Sequence, residues 1–224
     1  MDPETKRVYG GLTAEERREE RRRRLLDAGL EVMGTDGWSA TTVRGVCERA
    51  RLSARFFYES FADLNELAVA VFDEITASAF GRALEAMDDV GADPHARIRA
   101  WIETIVTELS DDPRRGRFAF IEALGSVPLM KRRLATMRSI AEIIATEIAH
   151  ASQVPTNAEF VQVTSIGLAG ALTELMIVWQ SGELALPREQ LIENLVELFA
   201  TNVQTAATIA NRSNRQTPPA PARR

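Results

Sequence analysis

One cysteine, two histidines and two tyrosines in 224 residues leave little material for several classes of protein. Cys47 has no partner for an internal disulfide, which excludes a disulfide-stapled scaffold and suits a reducing compartment. His95 and His150 have no carboxylate or cysteine at metal-ligand spacing, so no metal is expected. No Gly-rich loop follows a strand pattern, and there is no nucleophile-elbow or P-loop sequence. Asp88-Asp89 and Asp111-Asp112 fall at helix ends, where they read as solvated caps. An enzyme and a bound cofactor are therefore both disfavoured. Nine prolines and thirteen glycines are few enough for a mostly helical chain, and the low aromatic content argues against a β-rich one. No apolar stretch near about 18 residues and no charged-then-apolar leader stand out. A cytoplasmic protein with no membrane contact is expected.

What is present is helical periodicity, and it predicts an all-α fold of about nine helices. Residues 1–12, with Gly10-Gly11, read as a flexible arm. Thr13-Ala14-Glu15-Glu16 is a capping box that opens a helix running to about Met33, with Leu26, Leu30 and Met33 on its apolar face and Leu25 and Val32 beside it. Gly34 is placed to end that helix as a C′ residue, and Trp38 to plug the following loop onto a small core. Between Glu15 and Arg24 six arginines oppose four glutamates. This run fits either phosphate contacts or a solvated face laced by pairs such as Glu20–Arg24. Asp63-Leu64-Asn65-Glu66 starts another capped helix, with Leu64, Leu67, Ala68, Val71 and Ile75 on one face, that runs to about Asp88. Pro94, Pro113, Pro128, Pro155 and Pro187 each sit near a first helical turn and punctuate segments near 93–110, 113–125, 127–152, 157–181 and 187–210. From Asn211 to residue 224 the chain is polar and proline-rich, a disordered tail by composition.

Residues 41–67, TTVRGVCERARLSARFFYESFADLNEL, carry the functional signal. Val43, Val46, Cys47 and Ala50 follow the spacing of one apolar helix face, with Thr41 placed as N-cap. Leu52-Ser53 breaks the pattern, and Ser53 can cap a second short helix that buries Phe57 and Phe61. The other side of that helix shows Ala54, Arg55, Tyr58 and Glu59, with Phe56 at the boundary. Two short helices joined by a tight turn, the second basic and aromatic outside, describe a helix-turn-helix able to enter a major groove. Between 41 and 58 Arg44, Arg49, Arg51 and Arg55 stand against Glu48 alone, a local +3 in a chain of net −5 that suits a phosphate backbone. Cys47 reads as a small buried hydrophobe, with a redox-sensing thiol as the sharper alternative.

Thr41-Thr42-Val43, Ala50-Arg51-Leu52-Ser53, Phe57-Tyr58-Glu59-Ser60-Phe61 and Asn65-Glu66-Leu67 together resemble the TetR family of transcriptional regulators, over roughly residues 14–75. Arg51 stands where the family's turn glycine is usual, Arg55 replaces a second frequent glycine, Ser60 stands for an aromatic or His, and Leu64 for a phosphate-binding lysine. The resemblance implies an N-terminal three-helix DNA-binding domain over 13–62 and a helical effector-binding and dimerisation domain over 63–210. It implies a homodimeric repressor that binds a palindromic operator in double-stranded DNA and is released by a small-molecule effector. The expected DNA contacts are Thr42, Arg44, Ser53, Ala54, Arg55, Phe56, Tyr58 and Ser60.

The sensing part is read from polar or aromatic residues on otherwise apolar faces: Trp101, Thr104, Ile105, Glu108, Phe118, Glu122, Met137, Glu174 and Trp179. Glu174 ranks first, as a carboxylate expected to be buried and in need of a partner. The mixture fits lipophilic antibiotics, acyl compounds and aromatics alike. Residues 160–179 are nearly uncharged, with a small-residue strip at Gly167 and Gly170, and the helix after it is apolar over more than one face. Two such helices need cover on two sides, so Gly167, Gly170, Leu195 and Phe199 are expected at a dimer contact. A monomer with its last helix in its own groove is the alternative, as is a DNA-binding protein that answers to no effector.

Overall fold

The computed structural model describes residues 13–152, 155 and 158–216, and the described residues are all-helical. The helices are α1 (Ala14–Thr35), α2 (Val43–Ala50), α3 (Ala54–Tyr58), α4 (Leu64–Asp89), α5 (Pro94–Ser110), α6 (Pro113–Gly116), α7 (Val127–Ser152), α8 (Glu159–Gln180) and α9 (Arg188–Gln216). Caps fix several starts. The Thr13 hydroxyl accepts from Glu16 N at 3.2 Å while the Glu16 carboxylate accepts from Thr13 N, the reciprocal box the sequence announces. Asp63 accepts from Glu66 N at 2.9 Å and Asp93 from Ala96 N at 3.0 Å.

The chain forms two compact units. The first comprises residues up to Ile75 together with Asp112–Met130. The expected boundary at 62/63 follows the motif, whereas compactness draws in the start of α4 and a second stretch of chain. That stretch is tied down by specific contacts. Arg117 donates to Thr35 O at 2.8 Å, and Glu122 accepts from Trp38 N at 2.8 Å. A Cβ on Gly34 would meet Arg114 Cβ at 2.7 Å, so this glycine lies inside α1 as a close-approach residue rather than ending it. The turn is made instead by Gly37, whose φ of 89° favours glycine. Trp38 does seat the loop, half-buried against Gly125.

The first unit's core is Leu25, Val32 and Met33 of α1, Val46, Cys47 and Ala50 of α2, Phe57, Phe61, and Leu67, Val71 and Ile75 of α4. Leu26 and Leu30 are only half-buried, so the inward face of α1 is centred on Leu25, Ala28 and Val32. Thr42, not Thr41, caps α2; the Thr41 hydroxyl is buried and donates to Gly37 O at 2.9 Å. The segment expected as one helix over 113–125 is α6 followed by a π-turn (Arg117–Ile121) and a 3-10 turn (Glu122–Gly125). Widening brings residues five apart into register, and Arg117 and Glu122 pair at 3.2 Å across that interval.

The second unit holds Thr76–Asp111 and the chain from Lys131 on. Here α9 packs on both α5 and α8. Its core sets Ile98, Trp101, Ile102 and Ile105 of α5 with Ile144 and Ile148 of α7, Leu168, Leu172 and Met176 of α8, and Leu195, Phe199 and Val203 of α9. A partly buried pair also lies here: Arg97 grips Glu147 through two bonds of 3.0 and 2.9 Å and donates to Met87 O at 3.0 Å. Two expectations are corrected. α9 continues to Gln216, so Asn211–Gln216 are helical, while the rest of the expected tail, residues 217–224, and the expected arm, residues 1–12, lie outside the described residues. α8 does contain an 18-residue window of mean hydropathy 1.6, long and apolar enough by composition to cross a membrane; such a window is also that of a helix packed on one side and open on the other.

Candidate nucleic-acid interface and ligand groove

The helix-turn-helix is built on α2 and α3, and its turn is the departure noted in the sequence. Arg51 takes φ 53° and ψ 46°, the left-handed geometry that a glycine usually supplies there. Leu52 N–H donates to Cys47 O and Arg51 N–H to Glu48 O, closing the end of α2. Arg24 of α1 donates to both Ala50 O and Arg51 O, clamping that turn from behind. At the far end of α3, the Arg22 guanidinium lies 4.5 Å over the Phe61 ring and donates to Ser60 O, and Arg21 lies 4.6 Å over the Phe56 ring.

These contacts give three of the six arginines of the run a structural role. Arg21, Arg22 and Arg24 brace the motif, and the helix-surface pair is Glu20–Arg23 rather than Glu20–Arg24. Helix spacing alone cannot reveal such contacts, because their partners lie more than twenty residues away.

Of the residues expected at DNA, Thr42, Arg44, Ser53, Ala54, Arg55 and Tyr58 are exposed. Thr42 Oγ accepts from Gly45 N at 3.0 Å, whereas the Ser53 hydroxyl makes no capping bond and stays available. Tyr58 is 61% exposed and packs edge-on against Phe57 at 5.4 Å. Phe56 is half-buried beneath Arg21, and Ser60 is half-buried with its carbonyl taken by Arg22. Both are thus less open than the other six. Cys47 is buried, and burial pushes its thiol above the ordinary range, away from the reactive thiolate.

The expected effector set does not gather in one place. Trp101 and Ile105 are buried in the second unit, and the Trp101 indole N–H is buried with no hydrogen-bond partner. The cavity that Trp101 lines, with Met87, Ile144, Glu147 and Phe199, is only about 20 Å³. Thr104 is half-buried and Glu108 pairs with Arg82. Trp179 donates to Leu186 O at 2.9 Å, a loop anchor. Phe118 and Glu122 belong to the first unit, where Glu122 holds Trp38 and Arg117. Glu174 is exposed in the single chain rather than buried, and its charge acts on Arg133, whose guanidinium burial pushes below its usual value.

Met137 alone of that set lines the larger opening, a groove of about 700 Å³ between α7 and α8. Leu134, Ala141, Ala145, Ile166 and Ala169 make its apolar wall, and Arg138, Glu142, Gln162 and Ser165 its polar one. The 3.6-residue recurrence of Leu134, Met137, Ala141 and Ala145 was there to be read. Leu195 and Phe199 are 1% and 2% exposed within one chain, so their side chains face its own core rather than an open surface. The open apolar strip is on α8 instead: Phe160, Val163 and Ile166, with Val163 and Ile166 each 63% exposed. Gly167 is exposed, Gly170 half-buried, and a Cβ on either would meet nothing within 4 Å. Among the described residues no group of three or more His, Cys, Asp or Glu could hold a metal ion.

Residues 25–71 match the model of bacterial regulatory proteins of the tetR family. A putative TetR-family transcriptional regulator from Syntrophomonas wolfei shares the fold with a TM-score of 0.71 and 16% identity, over 83% of this chain and 96% of that one. The fatty acid degradation regulator FadR from Bacillus halodurans superposes with a TM-score of 0.70 at 12% identity, over 80% of this chain and 94% of its own. FadR from Bacillus subtilis, solved in complex with stearoyl-CoA, gives 0.70 at 15% identity, over 80% and 98%. No curated protein matches in sequence. The match over residues 25–71 and the shared all-helical fold agree with the resemblance to the TetR family.

Proposed function

We propose that the protein is a transcriptional repressor that binds an inverted-repeat operator as a homodimer and releases it on binding a small lipophilic effector. The observation that carries the reading is the exposed set Arg44, Ser53, Arg55 and Tyr58 on α2 and α3, inside the segment that matches the family. Arg55 is the candidate base reader and Tyr58 and Ser53 are candidate phosphate contacts. A cytoplasmic location goes with this role.

The homodimer is supported by the α8 strip, because Val163 and Ile166 beside two uncovered glycines form an apolar surface suited to a facing helix. The α7–α8 groove is the candidate effector seat, since it couples an apolar wall to Arg138 and Gln162. The stearoyl-CoA complex of the Bacillus subtilis protein makes long-chain acyl thioesters the first probes to try. A mobility-shift assay on duplexes selected from a random library tests the DNA reading, and sedimentation of Val163→Glu tests the dimer. Val163 is open in the single chain, so a glutamate there leaves the fold intact and should yield a folded monomer; an unchanged dimer mass places the contact elsewhere.

A second reading is an effector-independent DNA-binding protein acting through architecture or a protein partner. It is favoured by the near-filled cavity at Trp101, where Met87 and Phe199 occupy the space a ligand would need. Titration of stearoyl-CoA and a hydrophobic compound library against tryptophan emission, with and without operator, separates the two. Linkage requires an inducer to bind more weakly when operator is present.

A further inference from the structure

Two exposed arginines of the motif, Arg44 and Arg55, are each already held by a glutamate one helical turn further on. Arg44 Nε donates to Glu48 Oε1 at 2.8 Å, and Arg55 Nε donates to Glu59 Oε1 at 3.0 Å. The two glutamates are not equivalent. Glu48 is 65% exposed, whereas Glu59 is 33% exposed and its other oxygen lies 4.0 Å from an Arg21 nitrogen. Arg21 in turn rests on the Phe56 ring. A relay of contacts thus runs from Phe56 through Arg21 and Glu59 to Arg55, which remains 84% exposed. The bond to Glu59 uses Nε, the inner nitrogen, and leaves the two outer nitrogens of the guanidinium for an external acceptor pair.

We infer that Glu59 is a specificity-determining residue that orients Arg55 for a guanine edge and opposes its attraction to phosphates alone. The inference rests on the DNA-binding reading above. A guanine offers two neutral acceptors, O6 and N7, in a fixed geometry that a pre-oriented guanidinium meets with both outer nitrogens. A non-cognate duplex offers mainly charge, and a carboxylate beside the cation offsets that gain. Holding a long side chain in one geometry beforehand also lowers the entropy lost when it docks.

The test uses the duplex that the wild-type full chain selects from a random library, beside a scrambled duplex of equal length. Glu59→Gln keeps an oxygen for Arg55 Nε but removes the charge. It should tighten binding to the scrambled duplex roughly 2- to 5-fold, steepen the salt dependence, and preserve the base preference. Glu59→Ala removes both functions. It should show the same tightening and lose at least ~5-fold discrimination at one base in each half-site. Glu59→Ala with an undiminished base preference would overturn the positioning role, and unchanged scrambled-duplex binding in both variants would overturn the electrostatic one. Matching thermal unfolding curves confine the comparison to folded protein. A wild-type chain that selects no sequence refutes the DNA-binding reading itself, and the inference with it.

Discussion

Gly34→Ala sets two opposed effects against each other at one atom. Gly34 lies in the last turn of α1, where alanine should gain about 1 kcal/mol in helix propensity. The added Cβ, however, would lie 2.7 Å from Arg114 Cβ, 2.9 Å from Arg114 O and 3.0 Å from Arg114 Cα. None of these atoms belongs to the far end of a flexible side chain, so no rotamer change relieves the clash. Overpacking of this kind costs about 1–3 kcal/mol, and so short a contact falls in the upper part of that range. The steric cost should therefore win by roughly 1–2 kcal/mol. Gly81, in α4, provides the control, since a Cβ there meets nothing within 4 Å. Gly81→Ala should stabilise by about 0.5–1 kcal/mol. Urea unfolding of the two variants should move the midpoint in opposite directions with unchanged slope. A Gly34→Ala protein as stable as wild type would refute the claim that Asp112–Met130 is packed rigidly on α1.

Three further expectations follow from single contacts. Arg51→Gly should stabilise by ~0.5–1 kcal/mol, the relief of a left-handed arginine less the extra entropy of glycine, and thermal melts will read it. Glu147→Ala takes the main partner from Arg97, whose side chain is 19% exposed and keeps Met87 O and Asp88 within reach, and should cost roughly 1–3 kcal/mol by urea titration. Asp112→Asn bears on pH dependence, because the bonds from Arg114 hold the Asp112 carboxyl below its usual range. Its contribution is present above the unfolded carboxylate pKa and is lost as pH falls through the lower folded value. The wild-type advantage, under about 1 kcal/mol for so accessible a pair, should appear at neutral pH and vanish in strong acid.

The fold was legible at most places where a local rule decides it, although the cap of α2 falls on Thr42 and not on the neighbouring Thr41. Thr13 with Glu16, Asp63 with Glu66, and proline at the head of α5 and α6 set helix starts that the structure reproduces. Phe57 and Phe61, read as buried from their four-residue spacing, are 0% and 2% exposed. What stayed hidden depends on partners remote in sequence. Gly34 looks like a helix terminator until Arg114 is placed against it, and Trp38 gives no hint that Glu122 takes its N–H. The widened turn at Arg117–Ile121 is equally non-local, since Arg117 is also engaged by Thr35.

The candidate site divides along the same line. Arg44, Ser53, Arg55 and Tyr58 were placed correctly on the exposed side because an eight-residue helix and a short one leave few choices of face. α8 and α9 were harder, because a helix apolar nearly all round has no period that marks which side is inward. Leu195 and Phe199 went to the chain's own core, while Val163 and Ile166, no more apolar by type, were left in the open. Charge did not resolve the ambiguity either. Glu174, the one ionisable residue between 160 and 179, lies on the exposed side near Gly170, and so marks the open face of α8 rather than a buried site. A buried carboxylate without a partner would be costly, so an isolated Glu in an apolar helix is better read as a pointer to the uncovered side. On that reading Glu174 adjoins the Gly170 side of the strip and Val163 and Ile166 form its apolar centre. The residues to substitute in probing assembly are then those two, and the Leu195 and Phe199 positions report instead on the stability of the chain itself.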